Sequence, residues 1–178
     1  MTETEFEILK NRCIGRITQE EVDAAIPWRK TKTELEELLD NCLAKGNPNN
    51  IFEIYFWSTP TDMSNEEEQE LYRKYLLTEG HYEHEEIASA FQTRHNLSGD
   101  NVKVLVEAII HPPKYLQAED FRYPYIRKCI YAIGVQPEPH NFLGLNKLAV
   151  MDDFQIKELA LHQINKRQNK GYWEKATK

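Results

Sequence analysis

Apolar residues recur at helical spacing along most of this 178-residue chain. Leu35, Leu38, Leu39 and Cys42 stand at i, i+3, i+4 and i+7, the strongest amphipathic stripe in it. The same rhythm returns in Leu71, Tyr72, Tyr75 and Leu76, in Ile87, Ala90 and Phe91, and in Val102, Leu105, Val106 and Ile109. It returns a last time in Ile156, Leu159, Ala160 and Ile164. A looser set, Phe6, Ile8, Leu9 and Cys13, predicts one or two short helices over 5–26. Hydroxyl-x-x-Glu capping boxes are read at Thr18–Glu21, Thr33–Glu36 and Ser64–Glu67. Pro27, Gly46 with Pro48, Gly80 and His111-Pro-Pro113 supply the stops.

Two stretches break the rhythm. Asn50-Ile-Phe-Glu-Ile-Tyr-Phe-Trp57 reads as a strand by propensity, six of its eight residues being branched or aromatic. No other segment offers it a strand partner, so it is read as a helix covered on both sides. Lys114 to Tyr123 is read as a long loop, followed by a helix over 124–134. A further helix carries Phe142, Leu143, Leu145, Leu148 and Ala149, and Asp152-Asp153 is the expected cap of the last one. Tyr172 and Trp173 are expected to cover the end of the chain.

A shift of 31 residues lays Tyr125 on Ile156, Cys129 on Ala160 and Ile133 on Ile164, with Gly134 falling on Asn165 as a shared helix end. This pattern resembles HEAT repeats, especially the short kind in phycobilin-lyase-like proteins. The resemblance implies an all-α fold, a short right-handed α-solenoid of about three to four HEAT-like hairpins. On this reading 1–178 is a single domain, with 1–32 an N-terminal helical cap, 33–167 the repeats and 168–178 a tail.

Charge narrows the partners. The net charge is −7, and the stretch from Asp62 to Glu86 carries nine acids against Arg73 and Lys74, so the remainder is neutral. Such a patch repels nucleic acid and attracts a basic protein. No apolar run reaches the ~18 residues that span a membrane. The acidic start argues against a secretory signal. Cys13, Cys42 and Cys129 are read as buried reduced thiols, and the expected location is cytoplasmic.

Candidate chemistry is sparse. Tyr82-Glu-His-Glu-Glu-Ile-Ala-Ser-Ala resembles the His-Glu ligand helices of deoxyhypusine hydroxylase, which would make His84 and Glu85 iron ligands. A di-iron site needs several such dyads, and this chain has one. His81 and His84 match no zinc-protease spacing, and no nucleophile elbow is present. We therefore read the chain as non-enzymatic, with no cofactor and no metal, and as a protein-binding module. Its contact surface is expected to be Glu79, Glu83, Glu85 and Glu86 for steering a basic partner, with Tyr82, Tyr115, Phe121 and Tyr123 as aromatic anchors. Small acidic HEAT-like chains of this size resemble immunity proteins of bacterial toxin systems, which would make the partner a toxin. The competing expectations are a metalloenzyme of the deoxyhypusine-hydroxylase type with iron at His84 and Glu85, and a scaffold subunit of a larger assembly.

Overall fold

The computed structural model describes residues 2–93 and 97–176. Among these it has ten α-helices and two 3-10 turns, with a single isolated parallel bridge, Lys30 to Thr61, in place of any strand. The chain divides into two compact units, one of residues 1–71 with 80–82 and one of 72–79 with 83–178.

The first unit holds α1 (Glu3–Cys13), α2 (Gln19–Ala25), α3 (Lys32–Ala44), α4 (Ile51–Ser58) and the start of α5 (Asn65–Leu76). Thr2 with Glu5 and Thr18 with Glu21 form reciprocal capping boxes at the first two helices. The box of α3 is Thr31 with Glu34, two residues before the expected Thr33–Glu36. The two motifs overlap, and the earlier one wins because it adds helical backbone and frees Glu36 to approach Lys32 at 3.8 Å. Ser64 and Glu67 cap α5 as read from the sequence.

Ile51–Ser58 is a helix, with Phe52, Ile54 and Phe56 buried. Its entry explains how so strand-like a sequence is held. Asn47, Asn49 and Asn50 all adopt left-handed backbone at φ 48°, 54° and 56°, which asparagine tolerates. The buried Asn47 side chain then accepts a bond from the Phe52 N–H at 2.8 Å. Ile54 joins Leu9, Val22 and Ile26 in one core, flanked by Phe6, Trp28 and Tyr55. Phe52 is stacked on the buried His81 ring at 4.3 Å.

The second unit contains α6 (His84–Thr93), α7 (Gly99–Ile110), α8 (Glu119–Val135), α9 (His140–Ala149) and α10 (Phe154–Ala176). The helix after Gly80 opens at His84. Its central helix is α8, which packs against α6, α7, α9 and α10. Tyr123 near its start meets Asp153 before α10, and Gly134 near its end meets Gln163 and Arg167. So α8 and α10 run in the same direction at an offset of about thirty residues. The three pairs aligned by the 31-residue shift are all buried: Tyr125 and Ile156, Cys129 and Ala160, Ile133 and Ile164. Likewise α7 and α9 lie side by side in parallel, Gly99 facing His140 and Val102 facing Gly144.

Several expectations are corrected here. The supposed loop 114–123 is a 3-10 turn, Lys114–Leu116, followed by the first residues of α8, so Phe121 and Tyr123 are helical and Pro124 lies inside the helix. The helix does end here, at Val135, but Gly134 is not left-handed and serves another purpose. A Cβ there would sit 2.9 Å from Gln163 Oε1, so glycine permits the close approach of α8 to α10. The last helix continues to Ala176 in place of a tail from 168, and the side chains of Tyr172 and Trp173 lie outside the described residues. Cys42 and Cys129 are buried, but Cys13 at the end of α1 is exposed. Tyr125, one turn after Phe121 on α8, is wholly buried.

A buried amide organises one end of this unit. Gln136 donates to the carbonyls of Phe91 at 3.3 Å and Ala132 at 3.1 Å. Its carbonyl accepts from Ser98 N at 3.2 Å and Asn101 Nδ2 at 3.1 Å. Asn101 in turn accepts from Arg73 at 2.9 Å. Such a filled network ties α6, α7 and α8 together through one side chain.

Candidate functional site

The expected contact residues do not form one free acidic face. Glu79 accepts a bond from the Lys114 backbone N–H at 3.2 Å. Glu85 and Glu86 share the Lys128 ammonium at 3.7 and 3.5 Å. Part of the negative charge is thus answered within the second unit, and these pairs are solvent-screened and individually weak. Glu83 is half-buried just before α6. Tyr82 is 61% exposed and belongs to the first unit.

Tyr115 is fixed by an internal partner. Its hydroxyl lies 3.2 Å from His84 Nδ1, while His84 Nε2 lies 2.9 Å from the Thr78 carbonyl. A carbonyl only accepts, so Nε2 carries the proton and Nδ1 accepts from Tyr115. Burial pulls the imidazole down to about 4 from an ordinary 6.5, so it is neutral at pH 7. Both ring nitrogens are committed, which leaves no lone pair for iron. Among the described residues no group of three or more His, Cys, Asp or Glu is placed to hold a metal ion. The residues do not fit the di-iron resemblance.

Tyr123 and Phe121 occupy the start of α8. The Tyr123 hydroxyl donates to Asp153 Oδ2 at 3.2 Å, and Arg122 reaches the same oxygen at 3.4 Å while lying 5.4 Å over the Tyr123 ring. Partial burial, then the Asp153 carboxylate, raise the phenol above its ordinary range. Asp153 also caps α10, accepting from Gln155 and Ile156 N–H, each at 3.1 Å. Phe121 projects outward, 60% exposed.

Between α8 and α10 this geometry leaves a mostly apolar cleft of about 390 Å³, lined by Tyr123, Pro124, Arg127, Phe154, Gln155, Glu158 and Leu159. Phe154, the first residue of α10, is 73% exposed. Pro124 lacks an N–H, so the Asp120 carbonyl has no donor from that position. Both helix starts are acidic, with Glu119 and Asp120 on α8 and Asp152 and Asp153 before α10. Such acids complement the helix dipoles, and a cation brought here meets them as well.

Of the expected anchors, Tyr123 lines this cleft, Phe121 lies on the same helix start, and Tyr115 belongs to the His84 turn. Sequence reasoning missed Phe154, although a signal was present. It precedes Ile156 by two positions and so falls nearly opposite the Ile156–Ala160–Ile164 stripe. Searched against protein-family models, curated proteins and solved structures, the chain matches none of them.

Proposed function

We propose that the protein is a non-enzymatic protein-binding module built as a short right-handed solenoid of HEAT-like hairpins. The parallel packing of α8 on α10 and of α7 on α9 supports that architecture, since stacked hairpins place equivalent helices side by side. The partner is a basic protein, and the surface that takes it is the α8–α10 cleft with the exposed aromatics Phe121 and Phe154. The observation that carries this reading is the exposure of Phe154, 73%, beside a mostly apolar cleft whose lining includes one cation, Arg127, and one acid, Glu158. A ring left in water while a cleft stands open next to it gains about 2–3 kcal/mol when a partner covers it.

Within this class we favour an immunity protein, which would neutralise a toxin by covering its basic, anion-binding surface. The acids Glu79, Glu83, Glu85 and Glu86 then act at long range on the association rate, and the aromatics hold the complex. The test is capture from native lysate by the wild type and by a Phe121→Ser, Phe154→Ser variant. A basic protein retained by the first and lost by the second is the expected outcome. If that protein is toxic when expressed alone and harmless when co-expressed, the immunity reading stands. If it is harmless alone, the chain is a scaffold subunit.

A further inference from the structure

The α8–α10 cleft has an internal symmetry. Its two helices run in the same direction, and the 31-residue shift that aligns their buried sides also lays Tyr123 on Phe154 and Arg127 on Glu158. All four of these residues line the cleft. On each helix an aromatic ring is followed four residues later by a charge, so ring and charge stand one turn apart on the same side. The rings are alike in kind. The charges are opposite in sign.

Arg127 and Glu158 are both exposed, and neither forms an ion pair, with the other or with any further described residue. Phe154 is 73% exposed beside them. A face with these properties is complementary to itself. When a second copy is turned about a two-fold axis that lies in the face and runs along the helices, its α8 comes to lie over the first copy's α10. Arg127 of each copy then meets Glu158 of the other, and each Phe154 lies on the opposing Tyr123 ring. An axis across the helices at the same centre would set Arg127 against Arg127 and Glu158 against Glu158, so the charges select the first arrangement. The acids of the helix starts, Glu119, Asp120 and Asp152, are exposed at one end of the face, where solvent screens them.

We propose that the α8–α10 face is a homodimer interface, its occupant a second copy of this chain held by two reciprocal Arg127–Glu158 pairs around the aromatic cleft. The Phe154 rings supply the apolar burial, and the ion pairs fix the axis and the register. The inference does not rest on the proposed function. It bears on it, because the dimer covers the face offered to a basic partner and the two associations exclude each other.

The test is sedimentation equilibrium of the full chain over a concentration series. The wild type is expected to form a reversible dimer. Arg127→Glu leaves only acids at the paired positions and Glu158→Arg only cations, so each alone is expected to weaken dimerisation about tenfold. Mixing the two variants in equal amounts puts opposite signs across the interface again, and is expected to return a dimer of wild-type affinity. The double variant Arg127→Glu, Glu158→Arg should dimerise as the wild type does. A folding defect in either single variant would not be repaired by mixing. A wild type that stays monomeric at about 1 mM, the weak end of specific association, overturns the proposal and leaves partner binding by the cleft standing. A dimer that both single variants keep unchanged, or one that they lose and that mixing does not return, overturns it as well.

Discussion

The hydroxyl of Tyr123 donates to Asp153 at 3.2 Å, joining the start of α8 to the cap of α10. Asp153 does three things at once, since it also receives Arg122 and the first free N–H groups of α10. Asp153→Ala removes all three, so a loss of about 2 kcal/mol in unfolding free energy is expected, against about 0.5–1 for Tyr123→Phe. Chemical denaturation of the two variants measures the difference. Equal, negligible losses would mean the junction is not held there.

Gly134 carries a second prediction. A methyl group at this position meets Gln163 Oε1 at 2.9 Å in a helix interface, where the buried Gln163 side chain must give way. Gly134→Ala is therefore expected to destabilise by about 1–3 kcal/mol despite the better helix propensity of alanine. A gain in melting temperature would contradict the close approach.

The Gln136 network yields a third. Gln136→Leu keeps the bulk but strips partners from the Asn101 amide and from the carbonyls of Phe91 and Ala132. About 2–4 kcal/mol should be lost, because unsatisfied buried groups cost more than the bonds contribute. Thermal unfolding beside Gln136→Glu and the wild type would show it.

His84 makes stability depend on pH in a fixed direction. Its folded-state pKa, about 4, lies below the unfolded value of 6.5, so the unfolded chain binds the extra proton between these limits. The contribution is complete above pH 6.5 and is lost as pH falls toward 4, by up to about 3 kcal/mol. The direct check is the imidazole NMR signal, which should stay neutral at pH 5.5. A ring titrating near 6.5 would show that the bonds to Tyr115 and Thr78 are not kept.

Among the thiols, only Cys13 is open to solvent. Burial raises the Cys42 thiol and pushes Cys129 up to about 12. One equivalent of a thiol reagent should react with the native protein and two more after denaturation. Fast reaction of all three would mean the cores around Cys42 and Cys129 open readily.

What the sequence made legible was whatever one residue decides locally. The stripes at 102–109 and 156–164 were visible because a helix buries one face, and the Thr18 and Ser64 caps because a hydroxyl before a glutamate has one good use. Misreadings occurred where two local signals competed or where a distant partner decided. Thr31 and Thr33 offer overlapping caps. Pro124 resembles a helix start, yet α8 begins five residues earlier, at Glu119, because Pro removes only one bond near a helix beginning. Gly134 marks the end of α8 to within one residue, but the close approach that requires a glycine there is set by Gln163, a distant residue. Tyr115 resembles a free anchor until His84 takes its hydroxyl. The charged surface was legible as a count, but Lys128, forty-odd residues away, answers part of it.

The central claim is that a partner is held chiefly by the exposed aromatics of the α8–α10 cleft. The measurement that tests it most directly is the affinity of the captured partner for wild type and for Phe154→Ala across a salt series. The account requires a loss of about thirtyfold, carried by faster dissociation and nearly independent of salt. Unchanged affinity in Phe154→Ala, or a loss that vanishes in high salt, would contradict it and leave the acidic residues as the whole of the interface.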